Sequence, residues 1–272
     1  MLLVLDTQGI IYSAYYAKGV DLTTIDDKPV GAVYIFVKSL LKLWRGFRPE
    51  QMIACLDSPR KGLHRSKIFP GYKGTRGASP EDLFPQVDLC LKILDLWQVP
   101  TLKNPEWEAD DLIASAVYEY TDEKTIIVTR DKDLCQLVDK VTWIYQPDQT
   151  FIKETDVIEK FGVPPSRVAE WLALVGDSSD NIPGVQGIGP KTATSFIMDY
   201  PDIVTAAEIN ASKATGKALI QAISSGYYDL MVELTTTNTT LPIADDFDPS
   251  WSGPDFSKTA ELFNELGFET LR

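Results

Sequence analysis

Histidine and cysteine are scarce in this chain. His64 is the only histidine among 272 residues, which excludes His-rich zinc sites and makes histidine-based acid–base catalysis a poor explanation of any activity. The cysteines, Cys55, Cys90 and Cys135, are far apart, form no C-x-x-C pair and lie in apolar runs. We therefore predict buried, reduced thiols and a cytosolic compartment.

Long apolar runs are absent as well. None approaches the roughly 20 residues that a membrane-spanning helix needs, so we expect no membrane partner. The N-terminus, MLLVLDTQG, has no basic region and reaches an acid at Asp6, which argues against a signal peptide. A hydrophobic content of 44% and a charged content of 24% are typical of a globular protein, here one large domain or a domain with a small appendix.

Acidic residues are missing from one segment of a chain whose net charge is −13. That net charge alone argues against a nucleic-acid partner. Residues 58–80, however, contain no Asp or Glu and carry Arg60, Lys61, Arg65, Lys67, Lys73 and Arg76. His64, Phe69 and Tyr72 lie among these cations and could stack on bases. We predict that this basic segment contacts nucleic acid; a plain solvated loop is the alternative.

Short apolar runs alternate with helical patterns through residue 145, and helical patterns dominate after it. Strands are predicted at 2–6, 52–57, 100–102, 125–131 and 141–145. Helices are predicted at 7–18, 30–44, 80–97, 108–120, 154–161, 165–175, 190–199, 212–224, 227–236 and 257–266. This order indicates an α/β core followed by a helical C-terminal part, and it leaves the strand order open.

Acids follow three of the predicted strands. Asp6 ends the first strand, Asp57 ends the second, and Asp131 and Asp133 follow the strand that begins at residue 125. A single acid at such a place is commonly a helix N-cap. Three together indicate a ligand-binding crevice, because ligands bind at the carboxyl ends of parallel strands.

Two further acidic groups accompany these strand ends. The sequence EADD at 108–111 begins a helix, where simple capping is the alternative interpretation. In GDSSD at 176–180, Asp177 and Asp180 would share one face of a helical turn. The carboxylates that could converge are Asp6, Asp57, Glu108, Asp110, Asp111, Asp131, Asp133, Asp177 and Asp180. So many acids cannot all ionise without cations, and an oxygen-only donor set favours a pair of Mg²⁺ or Mn²⁺ ions, as used in phosphodiester hydrolysis.

A glycine-rich hairpin, IPGVQGIGPKT, follows the last two acids. It is not a P-loop, because Pro190 separates Gly189 from Lys191. A helix-hairpin-helix explains it better, with Ile182 and Val185 packed underneath and Pro190 at the first position of the next helix. Its backbone N–H groups would face a phosphodiester backbone.

Taken in this order, the motifs resemble the 5′-nuclease family, which includes the 5′→3′ exonuclease domain of bacterial DNA polymerase I and the phage flap endonucleases. The resemblance covers nearly the whole chain. Its marks are LLVLDTQGIIY at 2–12, LDSP at 56–59, YKGTR at 72–76, EADDLIA at 108–114, TRDKDLCQLV at 129–138 and GDSSDNIPGVQGIGPKTA at 176–193.

The resemblance implies a PIN-like α/β nuclease core with a mostly parallel sheet at 1–175, including a basic arch or clamp at about 58–80. It implies a helical region with a helix-hairpin-helix at 176–272 that holds duplex DNA. The nine carboxylates above would form its two-metal site. The residues expected in catalysis are Asp57, Lys73, Arg76 and Asp111. Those expected to contact DNA are Arg65, Tyr72, Lys73, Arg76, Gly184, Gly187, Gly189, Lys191 and Thr192.

The resemblance also implies cofactors, partners and one departure. Two Mg²⁺ ions are expected, with Mn²⁺ as a substitute, and a K⁺ ion at the hairpin as in relatives. The expected partner is DNA with a 5′ flap, a nick or a free 5′ end, bound by a monomer in the cytoplasm of a bacterial or phage-infected cell. Family members usually carry Arg where this chain has Ser13, which predicts different handling of the 5′ end.

The expected function is that of a metal-dependent 5′→3′ exonuclease and structure-specific 5′-flap endonuclease of replication or repair, with RNA primers as a further substrate class. One alternative is a catalytically inactive helix-hairpin-helix module that only binds DNA. Another is a phosphatase of the haloacid dehalogenase type, suggested by LLVLDTQG, although its D-x-D motif fails at Gln8. Whether the protein stands alone or is part of a DNA polymerase I stays open.

Overall fold

A six-stranded sheet forms the centre of the computed structural model, which describes residues 1–17, 19–120 and 124–271. Position 18, where the first helix is predicted to end, and Arg272, the end of the predicted helical region, lie outside the described residues. The strands are β1 (Leu2–Asp6), β2 (Gln51–Leu56), β3 (Thr101–Lys103), β4 (Thr125–Val128), β5 (Thr142–Tyr145) and β6 (Phe151–Ile152).

The strand order β3-β2-β1-β4-β5-β6 places the direction change of the chain between β1 and β4. Strands β1 to β5 pair in parallel, and only β6 runs antiparallel, beside β5. Because the chain winds outward from β1 on one side and from β4 on the other, the connections leave a crevice at the carboxyl ends of these two strands. The prediction of a mostly parallel sheet is confirmed.

Helices cover both faces of the sheet and make up most of the second half of the chain. They are α1 (Thr7–Tyr15), α2 (Gly31–Phe47), α3 (His64–Ile68), α4 (Leu83–Leu96), α5 (Ala109–Glu119), α6 (Glu154–Phe161), α7 (Val168–Val175), α8 (Pro190–Met198), α9 (Ile203–Ile209), α10 (Ala214–Ser224), α11 (Tyr227–Thr235) and α12 (Phe256–Glu265). The sequence patterns did not predict α3 and α9, because each helix is shorter than two turns and gives too few residues to show a helical period.

Two cores explain why the central strands are apolar throughout. Leu2 and Val4 pack in one core with helices α5 to α10. Leu3 and Leu5 pack in the other core with α1, α2, α4 and α12, because successive side chains of a strand point to opposite faces. Cys55, Cys90 and Cys135 are buried and unpaired, as predicted. Within the described ranges, no helix is long and apolar enough to cross a membrane.

A third, smaller core joins the basic segment to the helical part. Tyr72 packs there with Ala173 of α7, Ile182, and Met231 and Leu234 of α11. The basic segment is therefore anchored by an aromatic side chain and lies against the same edge of the sheet as the strand-end acids.

Candidate active site

Asp6 lies at the end of β1 and is held there by two donors. Its Oδ1 accepts the N–H of Gly9 at 2.9 Å, and its Oδ2 accepts the hydroxyl of Thr129 at 2.7 Å. A Cβ on Gly9 would stand 2.1 Å from Asp6 Oδ2, so only glycine permits this approach. Asp6 thus caps α1 and also faces the crevice, and burial raises its pKa to about 6.

Asp57 and Asp110 stand beside Asp6. The Asp57 carboxylate accepts the N–H of Ala109 at 2.8 Å, which ties the end of β2 to the start of α5. Asp110 lies in the first turn of α5. Burial, followed by repulsion from Asp131, Asp6 and Asp57, raises the pKa of Asp110 well above its ordinary value. These four carboxylates therefore share one electrostatic environment.

Asp131 and Asp133 follow β4 and extend this group. The Asp131 N–H donates to the Thr129 hydroxyl at 2.9 Å, and the Asp133 N–H donates to Asp131 Oδ1 at 2.8 Å. Burial and the charges of Asp131, Asp177 and Asp180 raise the pKa of Asp133 to about 8. Asp133 Oδ1 is buried and has no hydrogen-bond partner among the described residues, so one carboxylate oxygen is left for a ligand that is not protein.

Asp177 and Asp180 lie in a closed loop, and the prediction of a helical turn is wrong. Asp177 and Ile182 exchange two backbone hydrogen bonds of 2.8 Å, which close residues 177–182. Asp177 Oδ1 also accepts the N–H of Ser179 at 2.9 Å and lies 2.8 Å from the Lys132 ammonium. Although burial opposes it, Lys132 holds the pKa of Asp177 below its ordinary value.

The basic segment folds directly onto Glu108 and Asp180. Lys73 Nζ lies 2.5 Å from Glu108 Oε1 and 3.5 Å from Asp180 Oδ2, and Arg76 Nη2 lies 2.6 Å from Asp180 Oδ1. The Lys73 N–H donates to the Asp180 carbonyl at 2.8 Å with φ of +52°, an uncommon backbone conformation for a lysine. Burial alone would raise the pKa of Glu108, but Lys73 and Arg65 hold it below its ordinary value.

Asp111 does not join the carboxylate cluster. Its side chain is fully buried and receives both arms of the Arg65 guanidinium, at 2.6 and 2.8 Å, and the N–H of Asn238 at 2.8 Å. The expectation that Asp111 is a metal ligand and catalytic residue is therefore corrected. Because Asp110 and Asp111 are consecutive in the first turn of a helix, they point in different directions, and only Asp110 faces the crevice.

Arg65 and Tyr72 are not exposed to DNA in this structure. Only 5% of Arg65 and 2% of Tyr72 are accessible to solvent. The Tyr72 hydroxyl lies 2.9 Å from Glu108 Oε2 and 3.0 Å from Asp180 Oδ2. The predicted DNA contact of Arg65 and base stacking of Tyr72 are corrected, because these side chains are committed to carboxylates inside the protein.

The hairpin has the geometry that its glycines and prolines predict. Gly184 has φ of +66°, and a Cβ there would stand 2.4 Å from the backbone N of Gly176, so the turn requires glycine. Pro190 is the first residue of α8, and Ile182 and Val185 are buried underneath. The remaining residues predicted to contact DNA are accessible at this surface: Gly187, Gly189 and Lys191 are exposed, and Thr192 is half-buried.

Three residues of the site were not predicted from sequence. Thr129 bridges Asp6 and Asp131, Lys132 pairs with Asp177, and the Gln8 side-chain carbonyl accepts the N–H of Asp57 at 3.0 Å. Thr129 and Lys132 belong to the motif TRDKD. Their position between or next to the motif's acids is a signal that could have identified them.

The carboxylate oxygens of the crevice suit hard divalent cations, although the carboxylates do not all surround one point. No group of three acids in the described part of the chain has the arrangement of a finished metal site. Lys73, Arg76 and Lys132 form ion pairs with Glu108, Asp180 and Asp177, respectively. Oxygen-only donors, mutually raised pKa values and the unpartnered Asp133 oxygen nevertheless fit a site for divalent cations.

We expect the metal-free protein to lose stability as the pH rises. The pKa of Asp133 is about 8 and that of Asp6 about 6 in the folded protein, against about 4 in an unfolded chain. Both groups are protonated in either state below about pH 4, and ionising them above it costs more in the folded state. Urea unfolding in EDTA should show a fall of roughly 5 kcal/mol between about pH 5 and about pH 8, to which Asp133 contributes more than Asp6.

A divalent cation should reverse this trend, because it binds the ionised carboxylates. Saturating Mg²⁺ is expected to remove the fall, and Asp133→Asn is expected to reduce it in EDTA. Equal stability at the two pH values in EDTA would contradict the raised pKa values.

An acidic crevice at the switch point of a mostly parallel sheet, next to a hairpin between two helices, defines a nuclease of the PIN-like class. The family model of the 5′-3′ exonuclease N-terminal resolvase-like domain matches residues 1–162, and that of the 5′-3′ exonuclease C-terminal SAM fold matches residues 163–255. The chain therefore belongs to the 5′-3′ exonuclease family and is a 5′ nuclease.

Individual relatives agree with this assignment. The chain is 33% identical to the 5′-3′ exonuclease of Aquifex aeolicus (strain VF5), an alignment that covers 99% of this chain and 93% of that protein. It is 32% identical to the thermostable DNA polymerase I of Thermus filiformis over 99% of this chain but 32% of that enzyme. The chain thus spans about a third of this polymerase relative.

Solved structures share the fold. The structure of T5 5′-exonuclease with bound divalent zinc ions gives a TM-score of 0.67 at 19% identity, covering 86% of this chain and 89% of that one. The catalytic core of Rad2 in complex with DNA substrate gives a TM-score of 0.63 at 16% identity, covering 98% and 87%.

Proposed function

We propose that the protein hydrolyses DNA phosphodiester bonds with two metal ions, as a 5′→3′ exonuclease and as a structure-specific 5′-flap endonuclease in replication or repair. One observation carries the proposal. Acids from β1, β2, β4, α5 and the 177–182 loop line one crevice, and Lys73 and Arg76 lie directly on it. A module that only binds DNA has no need of such a cluster, whose charges destabilise the folded state.

Eight carboxylates are available to hold the two ions, which we propose to be Mg²⁺ with Mn²⁺ as a substitute. They are Asp6, Asp57, Glu108, Asp110, Asp131, Asp133, Asp177 and Asp180. When bound, such ions lower the pKa of a water molecule and neutralise charge on the scissile phosphate. Asp57 would act in catalysis through this role.

Lys73 and Arg76 are proposed to bind the phosphate that is cut. Their charges neutralise Glu108 and Asp180. Cations that replace them at these carboxylates would leave the ammonium and guanidinium groups next to the crevice, where they can stabilise negative charge in the transition state.

The exposed hairpin is proposed to hold duplex DNA without reading its sequence. Backbone N–H groups at Gly187 and Gly189, together with Lys191 and Thr192, would contact phosphates, while Gly184 maintains the turn. The complex of the Rad2 core, which shares this fold, with DNA substrate supports DNA as the partner. The proposed substrate is DNA with a 5′ flap, a nick or a free 5′ end.

Several sequence-based expectations stay predictions. They are a K⁺ ion at the hairpin, RNA primers as substrates, a monomeric state, a cytoplasmic location and a domain division at 175/176.

A cleavage assay on end-labelled DNA tests the proposed function. We expect Mg²⁺- or Mn²⁺-dependent release of the flap from a 5′-flap duplex, slower release of short products from a nicked duplex, and no product in EDTA. Binding of the flap without cleavage in either metal would instead favour the inactive DNA-binding module. Release of phosphate from a small ester would favour the phosphatase alternative. The D-x-D motif of that class needs an Asp at position 8, where this chain has Gln8.

A further inference from the structure

The most completely bonded charged side chain in the basic segment is Arg65 of α3. Its guanidinium donates to both oxygens of Asp111, to Glu108 Oε2 at 3.1 Å, to the carbonyl of Leu234 at 2.9 Å and to that of Thr236 at 2.8 Å. These five bonds use all five N–H donors of an arginine. No donor is left for a phosphate.

The two carbonyls belong to residues 234–241, a threonine-rich strap that begins in the last turn of α11 and lies against α5. The strap is held by side chains of the nuclease core. Asn238 N–H donates to Asp111, the Ser115 hydroxyl donates to the Asn238 carbonyl at 2.8 Å, and Gln136 Nε2 donates to the Thr235 carbonyl at 3.1 Å. Arg65 thus joins three parts of the chain: the basic segment, α5 and the strap.

Glu108 is the point at which this network meets the crevice. Its Oε2 is held by Arg65 and by the Tyr72 hydroxyl, whereas its Oε1 faces Lys73 at 2.5 Å. If a cation displaced Lys73 from Oε1, the Glu108 carboxylate would still be held in place through Oε2 by Arg65 and Tyr72. Loss of a partner that orients a metal-binding side chain in this way typically lowers metal affinity by about 10- to 100-fold.

We propose that Arg65 is a positioning residue for the metal site: by joining Glu108 and Asp111 to the 234–241 strap, it presents Glu108 Oε1 to a divalent cation. This inference rests on the metal site of the proposed function. It replaces the DNA contact that the sequence predicts for Arg65, and it makes metal affinity depend on the C-terminal helical part of the chain.

Calorimetric titration of the full chain with Mn²⁺, without DNA, measures this effect directly. Arg65→Ala is expected to weaken Mn²⁺ binding by about tenfold or more, the range seen when a partner of a metal ligand is removed. Arg65→Lys, which retains the charge but not the bidentate fork, should give an intermediate loss. Arg45→Ala removes an exposed arginine at the end of α2 and should leave the affinity unchanged.

A second readout separates positioning from a phosphate contact. Flap-DNA affinity is measured in Ca²⁺ at a series of salt concentrations, where loss of one phosphate contact lowers the slope of log K against log salt by about 1. We expect an unchanged slope for both Arg65 variants. An unchanged Mn²⁺ affinity in Arg65→Lys, or a lowered slope, overturns the proposal. Circular dichroism reports folding, and if Arg65→Ala does not fold, Arg65→Lys alone decides.

Failure of the positioning role and failure of the proposed nuclease function give different experimental results. If the wild-type protein cleaves the flap and the Arg65 variants bind Mn²⁺ as tightly as wild type, the positioning role is rejected and the proposed nuclease function stands. Mn²⁺ binding that depends on Arg65, in a wild-type protein that does not cleave DNA, rejects the proposed function and supports the positioning role.

Discussion

Replacing Asp110 with asparagine is expected to slow Mg²⁺-dependent cleavage of a 5′-flap duplex by about 1,000-fold or more. Burial and repulsion from Asp131, Asp6 and Asp57 raise the pKa of Asp110 well above its ordinary value, so its charge lies close to those of the other acids. Removing this charge weakens the binding of the cations that stabilise the transition state by several kcal/mol. A 1,000-fold slower reaction corresponds to a loss of about 4 kcal/mol of that stabilisation. Single-turnover cleavage measures the effect.

The same substitution should stabilise the metal-free protein, because asparagine keeps the shape of the side chain but removes a charge that is costly to bury. Urea unfolding in EDTA measures this second effect, expected to be on the order of 1 kcal/mol. Asp95→Asn, an exposed position near the end of α4, serves as the matched control and should change neither quantity. Retention of full cleavage by Asp110→Asn would show that Asp110 is not a metal ligand.

Replacing Lys73 with alanine is expected to slow cleavage of bound flap DNA by about 100- to 1,000-fold, the usual loss when one donor to a transition-state anion is removed. The left-handed backbone of Lys73 and its N–H bond to the Asp180 carbonyl hold the residue at the crevice. DNA affinity should fall by less than about tenfold, because the duplex is held mainly elsewhere. Single-turnover rates and affinities measured in Ca²⁺ separate the two effects.

Lys67→Ala provides the comparison for Lys73. Lys67 lies in the same basic segment, but it is exposed and pairs at 2.6 Å with Glu106 on the surface. Its loss should leave the cleavage rate of bound DNA unchanged. Equal losses of rate and affinity in Lys73→Ala would make that residue an ordinary phosphate contact. Mn²⁺ affinity, by contrast, should not fall in Lys73→Ala, because the ammonium competes with a cation for Glu108.

Most strands and long helices of the fold could be predicted because their signals are local. The apolar run LLVLD became β1, and the helix predicted at 154–161 has those bounds in the structure. The missed helix α9 carried a weaker signal, the Asp202 cap that accepts the N–H of Thr205 at 2.8 Å. The five-residue α3 carried no periodic signal, and packing of the basic segment against α7 and α11 determines it.

The candidate site was predictable in composition but not in contacts. Asp6, Asp57 and Asp131 converge because β1, β2 and β4 are adjacent and parallel, an order that no local pattern contains. Asp110 and Asp111 are identical in type and consecutive, yet one faces the crevice and the other binds Arg65. That difference depends on a partner 46 positions away in the chain.

The sequence by itself determined the chemistry of this protein: an oxygen-only set of acids, a cation-rich segment free of acids, and a glycine-proline hairpin, in the order of the 5′-3′ exonuclease family. Residue type and short-range spacing suffice for these features. Only the tertiary structure decided which charges are available. Burial and long-range pairing turn Arg65, Tyr72 and Asp111 inward, and they leave Lys73, Arg76 and the remaining acids at the crevice. The cost of an unpaired buried charge depends on every neighbour, and neighbours exist only once the chain has folded.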